Sequence, residues 1–475
     1  MPYNSARTVP SWIPRLISGL LLGSLLWQQG QAQVLVENAI LITEQEGVDA
    51  PFTGYLLAGP DGLITAIGPG SYSGQLPAGT KHVDASGKFV IPGFVSGHNH
   101  LWQSAMRGIA LDKVLQPWLD DLHRTYGPFF GDDDFYWFTL HGALDQLLHG
   151  ITTTYSHSQR LNASEEQYLG SMKAEMEVGQ HFIFSYNNDI SQKPAAMDKT
   201  FAEFMKKADA NIARPGSPML AAAINAVGNF APGDALAREM ALAKKYKVGV
   251  QIHYLEQYST GEADRAQWNA MKAAGALTPG TTFAHFIQTT DAILKDTAAA
   301  GAGMIWNPLS NGRLASGLSD IPKYRAMGVK VGMGVDGAAS GDISDPFENM
   351  RMGMYALRMQ HHDPAIMSAE QILRLHTLDT AKLLGIGNKV GSLEKGKLAD
   401  FLVLDPGSPL TGGVFNPVAH LVASMNAMNI EAIYVSGKLE VQKGKVLGKD
   451  TTAVQAEVVK RVARIVAAQK AGAKK

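Results

Sequence analysis

Between Ile91 and Asp336, short apolar runs alternate with longer stretches of helical spacing, which restricts this region to repeated strand–helix units and a parallel sheet. The apolar runs are Ile91–His100, Ile151–His157, His181–Tyr186, Pro218–Ile224, Val248–His253, Thr281–His285, Gly303–Asn307 and Val329–Asp336. Between them lie stretches such as Phe135–Leu148, stopped by Gly150, and Asp234–Tyr246, an amphipathic run with Asp234 in the N-capping position. Eight strands separated by helices is the count of a closed barrel, so the fold class expected is α/β, a (β/α)8 TIM-type barrel.

The flanks have a different character. Val34–Ile42, Leu63–Gly68 and Lys81–Val90 are short β-branched runs with Gly, Pro and Asp turns such as Ala58-Gly-Pro-Asp-Gly62 between them. Ala399–Leu404 and Ile433–Gly437 return to that pattern near the other end. A small β-sandwich domain built from both chain ends is expected, from residues 33–91 and 387–450, around a barrel of residues 92–386. Residues 451–475 read as a basic, alanine-rich, solvated helix and tail.

The first 32 residues read as a signal peptide. Arg7 and Arg15 are their only charges, Leu16–Trp27 is apolar but short for a bilayer, and Gly30 and Ala32 fit cleavage after Ala32. The chain has no cysteine, which excludes a lipoprotein anchor, and no Arg-Arg pair, which favours the general export route. The mature chain is expected to be exported, to the periplasm in a Gram-negative host, and free of the membrane.

The same lack of cysteine excludes disulfides and thiolate ligands, so a metal would have to be held by His, Asp or Glu. A net charge of −1 gives no footprint for nucleic acid. A small-molecule substrate is expected instead.

Residues i and i+2 of a strand share a face, so His98 and His100 can present two imidazoles to one point. His253, His285 and Asp336 also fall at strand ends, and in barrel enzymes the C-terminal strand ends form the active-site mouth. Singly, each would be a satisfied core residue. Together they point to a metal centre. Glu256, three residues past His253, can reach a water that the ion activates and carry its proton. Trp102 and Gln103 sit where the first strand–helix loop would face the pocket, with ring stacking and loop packing both open for Trp102. His157 either contacts substrate or caps a loop. Trp118, Tyr126, Phe129, Phe130, Phe135, Tyr136, Trp137 and Phe138 are expected as an apolar wall over the mouth. The Met-rich run Met350–Met359 is read as core or as the interface of a homo-oligomer.

From Val34 to Asp405 the chain resembles the amidohydrolase superfamily, in its chlorohydrolase and deaminase branch (triazine hydrolases, adenosine-homocysteine deaminases, guanine deaminases). The resemblance is carried by Pro92-Gly-Phe-Val-Ser-Gly-His-Asn-His100, Gly150-Ile-Thr-Thr-Thr154, His253-Tyr-Leu-Glu256, Ala284-His285, Asn307-Pro-Leu-Ser-Asn311, Gly334-Val-Asp336-Gly-Ala-Ala-Ser340 and Gly391-Ser-Leu-Glu-Lys-Gly-Lys-Leu-Ala-Asp400. It implies one divalent ion, zinc first and iron(II) as the alternative, held by His98, His100, His253 and Asp336. It makes Glu256 the proton shuttle. His285 would polarise the water or the tetrahedral intermediate, and Asp336 would also accept a proton from the attacking water. The loop from Asn307 to Gly317 would line the substrate pocket.

Three departures from the branch stand out. Gln288 replaces a frequent histidine, and Val335 a frequent threonine. The stretch His181–Ile190, taken as the fourth strand, lacks the lysine that binuclear members carboxylate, and Lys193 comes too late, so a mononuclear site is expected. The activity implied is addition of water to a C=N carbon of a nitrogen heterocycle with release of ammonia. The same machinery could cleave an amide, a cyclic imide or a carbon–halogen bond. A non-catalytic binding protein of this fold is disfavoured by the intact residue set.

Overall fold

The computed structural model describes residues 33–48, 50–158, 164–230 and 232–472. The export segment expected at residues 1–32 lies outside the described residues. Among those described, no helix is long and apolar enough to cross a membrane.

Five strands open the described chain: β1 (Val34–Leu41), β2 (Phe52–Ala58), β3 (Ile64–Pro69), β4 (Lys81–Asp84) and β5 (Phe89–Pro92). Eight more follow with helices between them: β6 (Phe94–Asn99), β7 (Ile151–His157), β8 (His181–Asn187), β9 (Met219–Asn225), β10 (Gly249–Tyr254), β11 (Thr281–His285), β12 (Gly303–Trp306) and β13 (Lys330–Met333). Then come β14 (Phe401–Leu404), β15 (Ile430–Val435), β16 (Lys438–Gln442) and β17 (Lys445–Val446).

The eight middle strands pair in parallel and in chain order from β6 to β13. Their residues are buried almost throughout, as parallel strands covered by helices require. Just beyond β13 the chain returns to β6: the Asp336 amide donates to the His98 carbonyl at 3.0 Å, and the Val335 amide to Ser96 Oγ at 3.2 Å. This is the (β/α)8 barrel. It corrects one strand count: His181–Asn187 is the third barrel strand, and the fourth is Met219–Asn225, which also lacks a lysine.

The remaining strands form a separate mixed sheet from both chain ends, in the order β17-β16-β15-β14-β5-β1-β2-β3, with β4 also on β1. Its centre is the antiparallel pair β5–β14, which sets Phe89 opposite Leu404 and Pro92 opposite Phe401. The ladder curls until Leu63 bridges to Leu398, enclosing a second core that includes Val36, Leu41, Leu56, Val90, Phe401 and Val403.

The run Ile91–His100 is therefore not one strand but the junction of two sheets. The Gly93 amide donates to the Asp400 carbonyl in the mixed sheet, and the next amide, Phe94, donates to the Gly150 carbonyl in the barrel. Both halves are buried, so the pattern of apolar residues does not mark the change of partner. A β-carbon at Gly93 would collide with the Thr152 side chain, which is why the crossover runs through glycine.

The C-terminal helix Thr451–Gly472 leaves most of its residues in water, as expected of a solvated helix, but docks one stripe. Val454, Val458 and Ile465 are buried against the rest of the molecule. Arg461 bonds Asp134 at 2.7 Å and Asp133 at 2.8 Å, Arg464 also pairs with Asp134, and the Asp134 side chain is fully buried. The Met-rich run lies in the helix Pro346–His361, with Met350 and Met354 in the core and Met359 exposed.

Candidate active site

His98 lies near the end of β6 and His100 one residue beyond it; His157 and His285 end β7 and β11, and His253 is the penultimate residue of β10. Glu256 and Asp336 stand in the loops that follow β10 and β13. His285 and Asp336 both adopt left-handed backbone conformations, φ 69° and 58°, which turn the chain sharply as it leaves the barrel and are uncommon outside constrained sites.

These side chains converge. The His98 ring centroid is 4.8 Å from those of both His100 and His253, and His157 lies 4.4 Å from His253. Asp336 Oδ1 is 3.4 Å from His98 Nε2 and 3.5 Å from His100 Nε2. His100 Nε2 is 3.2 Å from His253 Nε2. On the other side His285 Nε2 stands 3.7 Å from Glu256 Oε2 and 3.8 Å from Asp336 Oδ2.

Surrounding hydrogen bonds set which ring nitrogen carries the proton. Gln251 Nε2 donates to the Gly97 carbonyl at 2.9 Å, which turns its Oε1 toward His98 Nδ1, 2.6 Å away, as acceptor. His100 Nδ1 donates to the His157 carbonyl at 2.9 Å. In both rings the proton is on Nδ1 and the lone pair on Nε2 points to the centre. His285 Nδ1 donates to Asn311 Oδ1 at 2.8 Å, and Ser310 Oγ donates to Asp336 Oδ2 at 2.6 Å.

Electrostatics separates the groups further. Burial, then the neighbouring His98, depresses His100 to about 3, and burial with the crowd of imidazoles holds His157 and His253 well below the usual range. These rings are neutral, the form that binds metal. Burial also opposes charge on His285, yet Glu256 and Asp336 outweigh it and raise its pKa. Burial would raise Asp336, but the imidazoles around it keep its carboxyl well below the carboxylate range. Glu256 is pushed up to about 7 by burial, with His285 pulling it down and Asp336 pushing it up.

The donor set fits a divalent ion. His98 Nε2 is buried with no hydrogen-bond partner, and the inward lone pair of His100 lies close to His253 Nε2. Neutral imidazoles with one carboxylate suit ions of borderline softness. The residues His98, His100 and Asp336 form one group able to hold such an ion; His98, His253 and His285 form a second, and His100, His157 and His253 a third.

Above this floor is a cavity of about 60 Å³, walled by Leu115, Trp118, Leu119, Phe230 and Leu314, with Ser340 at its edge. That is far below the roughly 300–1,000 Å³ of ordinary ligand pockets, and the loop after β6 lines it with the short helix Leu115–Leu119. The loop is held down at two places. Trp118 Nε1 donates to the Ala339 carbonyl at 2.7 Å. Arg313 bonds Asp342 at 3.0 Å and the Ala110 carbonyl at 3.1 Å, and Asp342 accepts from the Gly108 amide at 2.9 Å. A larger groove of about 850 Å³ opens at the other end of the barrel, beside His181, away from these groups.

The structure thus gathers His98, His100, His157, His253, His285, Glu256 and Asp336 and leaves the other candidates outside the cavity lining. Trp102 is buried among His123, Phe130 and Phe135, so it packs beneath the loop. Gln103 is fully buried against Gly337, and Asn307 lies against Gly334. Of the expected aromatic wall only Trp118 lines the cavity; Phe135 and Phe138 are core, and Trp137 stacks under Arg461. Gln288 donates to the Ser316 carbonyl at 2.7 Å, outside the lining. Sequence reasoning missed Gln251; Ser310 and Asn311 stood in the motif Asn307–Asn311 but were given no role of their own. Only the position of Gln251, two residues before His253 on the same strand face, hinted at its place.

Comparison with known proteins places the chain in a family. Residues 89–439 match the sequence profile of the amidohydrolase family. The chain is 28% identical over 453 residues to 5-methylthioadenosine/S-adenosylhomocysteine deaminase of Desulforamulus reducens, covering 91% of this chain and 99% of that protein. It is 28% identical over 458 residues to the enzyme of that name from Symbiobacterium thermophilum, covering 94% and 98%. Among solved structures, an adenosine deaminase from Xanthomonas campestris with bound zinc superposes with a TM-score of 0.80 at 21% identity, covering 92% of this chain and 99% of that one. An atrazine chlorohydrolase from Arthrobacter aurescens complexed with zinc gives 0.78 at 21% identity, covering 90% and 100%. With its barrel, its mixed sheet from both ends and its cluster of histidines and carboxylates at the barrel mouth, the chain belongs to the amidohydrolase family.

Proposed function

We propose that the protein is a zinc-dependent hydrolase that deaminates a planar nitrogen heterocycle by adding water to a C=N carbon. The observation that carries the reading is the placement of Glu256 and Asp336 beside one nitrogen of His285, Nε2, at 3.7 and 3.8 Å, at the floor of an apolar cavity beside the neutral imidazoles. The relatives named as deaminases, and the zinc in the solved structures of similar fold, support it.

His98, His100, His253 and Asp336 would hold the ion, which when bound supplies Lewis-acid activation of water. Glu256, buried and raised to about 7, takes one proton of the attacking water and passes it to the ring nitrogen, and Asp336 takes the second, which goes to the departing amine as the carbon–nitrogen bond breaks. His285, whose pKa its two carboxylates raise against burial and which Asn311 orients, faces the negative charge that develops on the attacked carbon's oxygen. Asp336 is held in place by Ser310 and the Gly337 amide. The apolar walls favour a flat, uncharged ring over a polar chain.

The test is metal content followed by an ammonia-release screen over purines, pyrimidines, triazines and pterins. About one zinc per chain and ammonia from one ring class supports the proposal. Metal without ammonia, but with chloride or amine release from a substituted triazine or an amide, moves the activity to the carbon–halogen or amide reading. We also propose that this chemistry takes place after export, on the composition of residues 1–32; a mature chain beginning at Gln33 in the periplasmic fraction of a Gram-negative host would support it.

A further inference from the structure

His157 has an unsolved problem of partners. It is 2% exposed, and its Nε2 makes no hydrogen bond. A buried polar nitrogen without a partner is destabilising, so something is expected to meet it. The substrate is a poor candidate, because the cavity lining stops at His100 and His253 and does not include His157. What His157 does face is the cluster: its ring centroid lies 5.1 Å from His98, 5.0 Å from His100 and 4.4 Å from His253.

We propose that His157 is a further ligand of the metal centre, so that four imidazoles and Asp336 surround the ion. This rests on the metal-centre reading above and adds a residue to it. Donor atoms of His100, His157 and His253 lie within 4.8 Å of one another. Two nitrogens on opposite sides of one ion, each at about 2.0–2.1 Å, span about 4 Å, so a small inward shift of the rings closes the shell.

The far side of the ring is already held. His157 Nδ1 is 3.3 Å from the Asn225 carboxamide, which is 3.3 Å from Asn187 Oδ1. Asn225 Oδ1 is itself a buried acceptor without a partner. A half-turn of the two carboxamides keeps both contacts and gives Asn225 Oδ1 the Nδ1 proton. The lone pair then stands on Nε2, facing the cluster, as in His98 and His100. His157 also supplies the carbonyl that fixes the His100 tautomer, so one residue orients one ligand and is itself another.

The test needs no substrate. X-ray absorption of the zinc-loaded wild-type protein counts the imidazoles: four are expected, and three would overturn the proposal. Cobalt(II)-loaded wild type, with the four imidazoles, Asp336 and the activated water, should show the weak visible absorption of a six-coordinate ion, and His157→Asn and His157→Gln the stronger bands of a five-coordinate one. Zinc affinity, measured against a chromophoric chelator, should weaken at least about tenfold in both variants. Equal melting temperatures of the metal-free forms establish that the variants fold. Folded variants with unchanged zinc affinity and unchanged cobalt spectra would overturn the proposal even if turnover fell. So would two ions per wild-type chain. Wild type that binds no ion after reconstitution would instead remove the metal-dependent reading of the whole site, a different and separable result.

Discussion

Gln251 Oε1 accepts a hydrogen bond from His98 Nδ1 at 2.6 Å while Gln251 Nε2 donates to the Gly97 carbonyl at 2.9 Å, so a residue that binds nothing itself dictates where the His98 lone pair points. Replacing Gln251 with Leu keeps the bulk and removes that lock. Metal affinity should weaken by roughly 10–100-fold, read by competition with a chelator. The unpaired Gly97 carbonyl should also lower the stability of the metal-free protein by about 1–3 kcal/mol in urea unfolding.

Glu256 is placed to move protons rather than to hold the ion: it lies beside His285 and in none of the groups able to bind a metal. Glu256→Gln should therefore retain full metal content and lose about 10²–10⁴-fold in kcat/KM. Loss of metal together with activity would show that the carboxylate is a ligand.

At the opposite end of the barrel, His181 Nε2 lies 3.4 Å from Asp400 Oδ1 and 3.0 Å from Ser436 Oγ, joining the barrel to the mixed sheet. Burial opposes charge on His181, but Asp400 outweighs it and raises its pKa above the ordinary 6.5. A raised histidine contributes its stabilisation in full below its unfolded pKa and loses it as pH rises through the folded value. The stability gap between wild type and Asp400→Asn should be wide at pH 6 and narrow at pH 9, measured by urea unfolding at each pH.

Asp134 is fully buried between Arg461, 14% exposed, and Arg464, 51% exposed. Asp134→Asn leaves two guanidinium groups without their shared counter-charge. The expected loss is about 2 kcal/mol, below the 3–5 kcal/mol of a fully buried pair because Arg464 is half in water. Hydrogen exchange along Thr451–Gly472 should speed up first, and unchanged exchange there would dissociate the ion pair from the docking of the helix.

Arg313 ties the first barrel loop to the loop after β13 through Asp342 and the Ile109 and Ala110 carbonyls. Arg313→Ala should free that loop. Proteolysis between residues 108 and 126 should accelerate, and KM should rise more than kcat changes. A fall in kcat alone, with the loop still protected, would place the effect in the chemistry instead.

How far the sequence carried these conclusions follows from what each pattern encodes. His98, His100, His253, His285 and Asp336 were legible because strand periodicity and barrel topology together fix where a strand-end side chain goes. The break at Gly93 was not, since both halves of the run are buried and a change of hydrogen-bond partner leaves no trace in hydrophobicity. Trp102 turned inward because its loop folds back beneath the helix Asp134–Leu148, a tertiary choice invisible in local spacing. Val454, Val458 and Ile465 did stand on one stripe of the last helix, but alanines and lysines diluted it, and nothing marked Asp134 as its buried anchor.

The pairing of Phe89 with Leu404 has a consequence for how the molecule is made. At about 5–20 residues per second, a ribosome needs roughly 15–60 s to reach β14 after it has released β5. Throughout that interval the open side of β5 is an uncovered strand edge, and the whole barrel must be threaded in between before its mate arrives. The nascent chain is thus exposed to wrong partners for longer than its size alone would suggest.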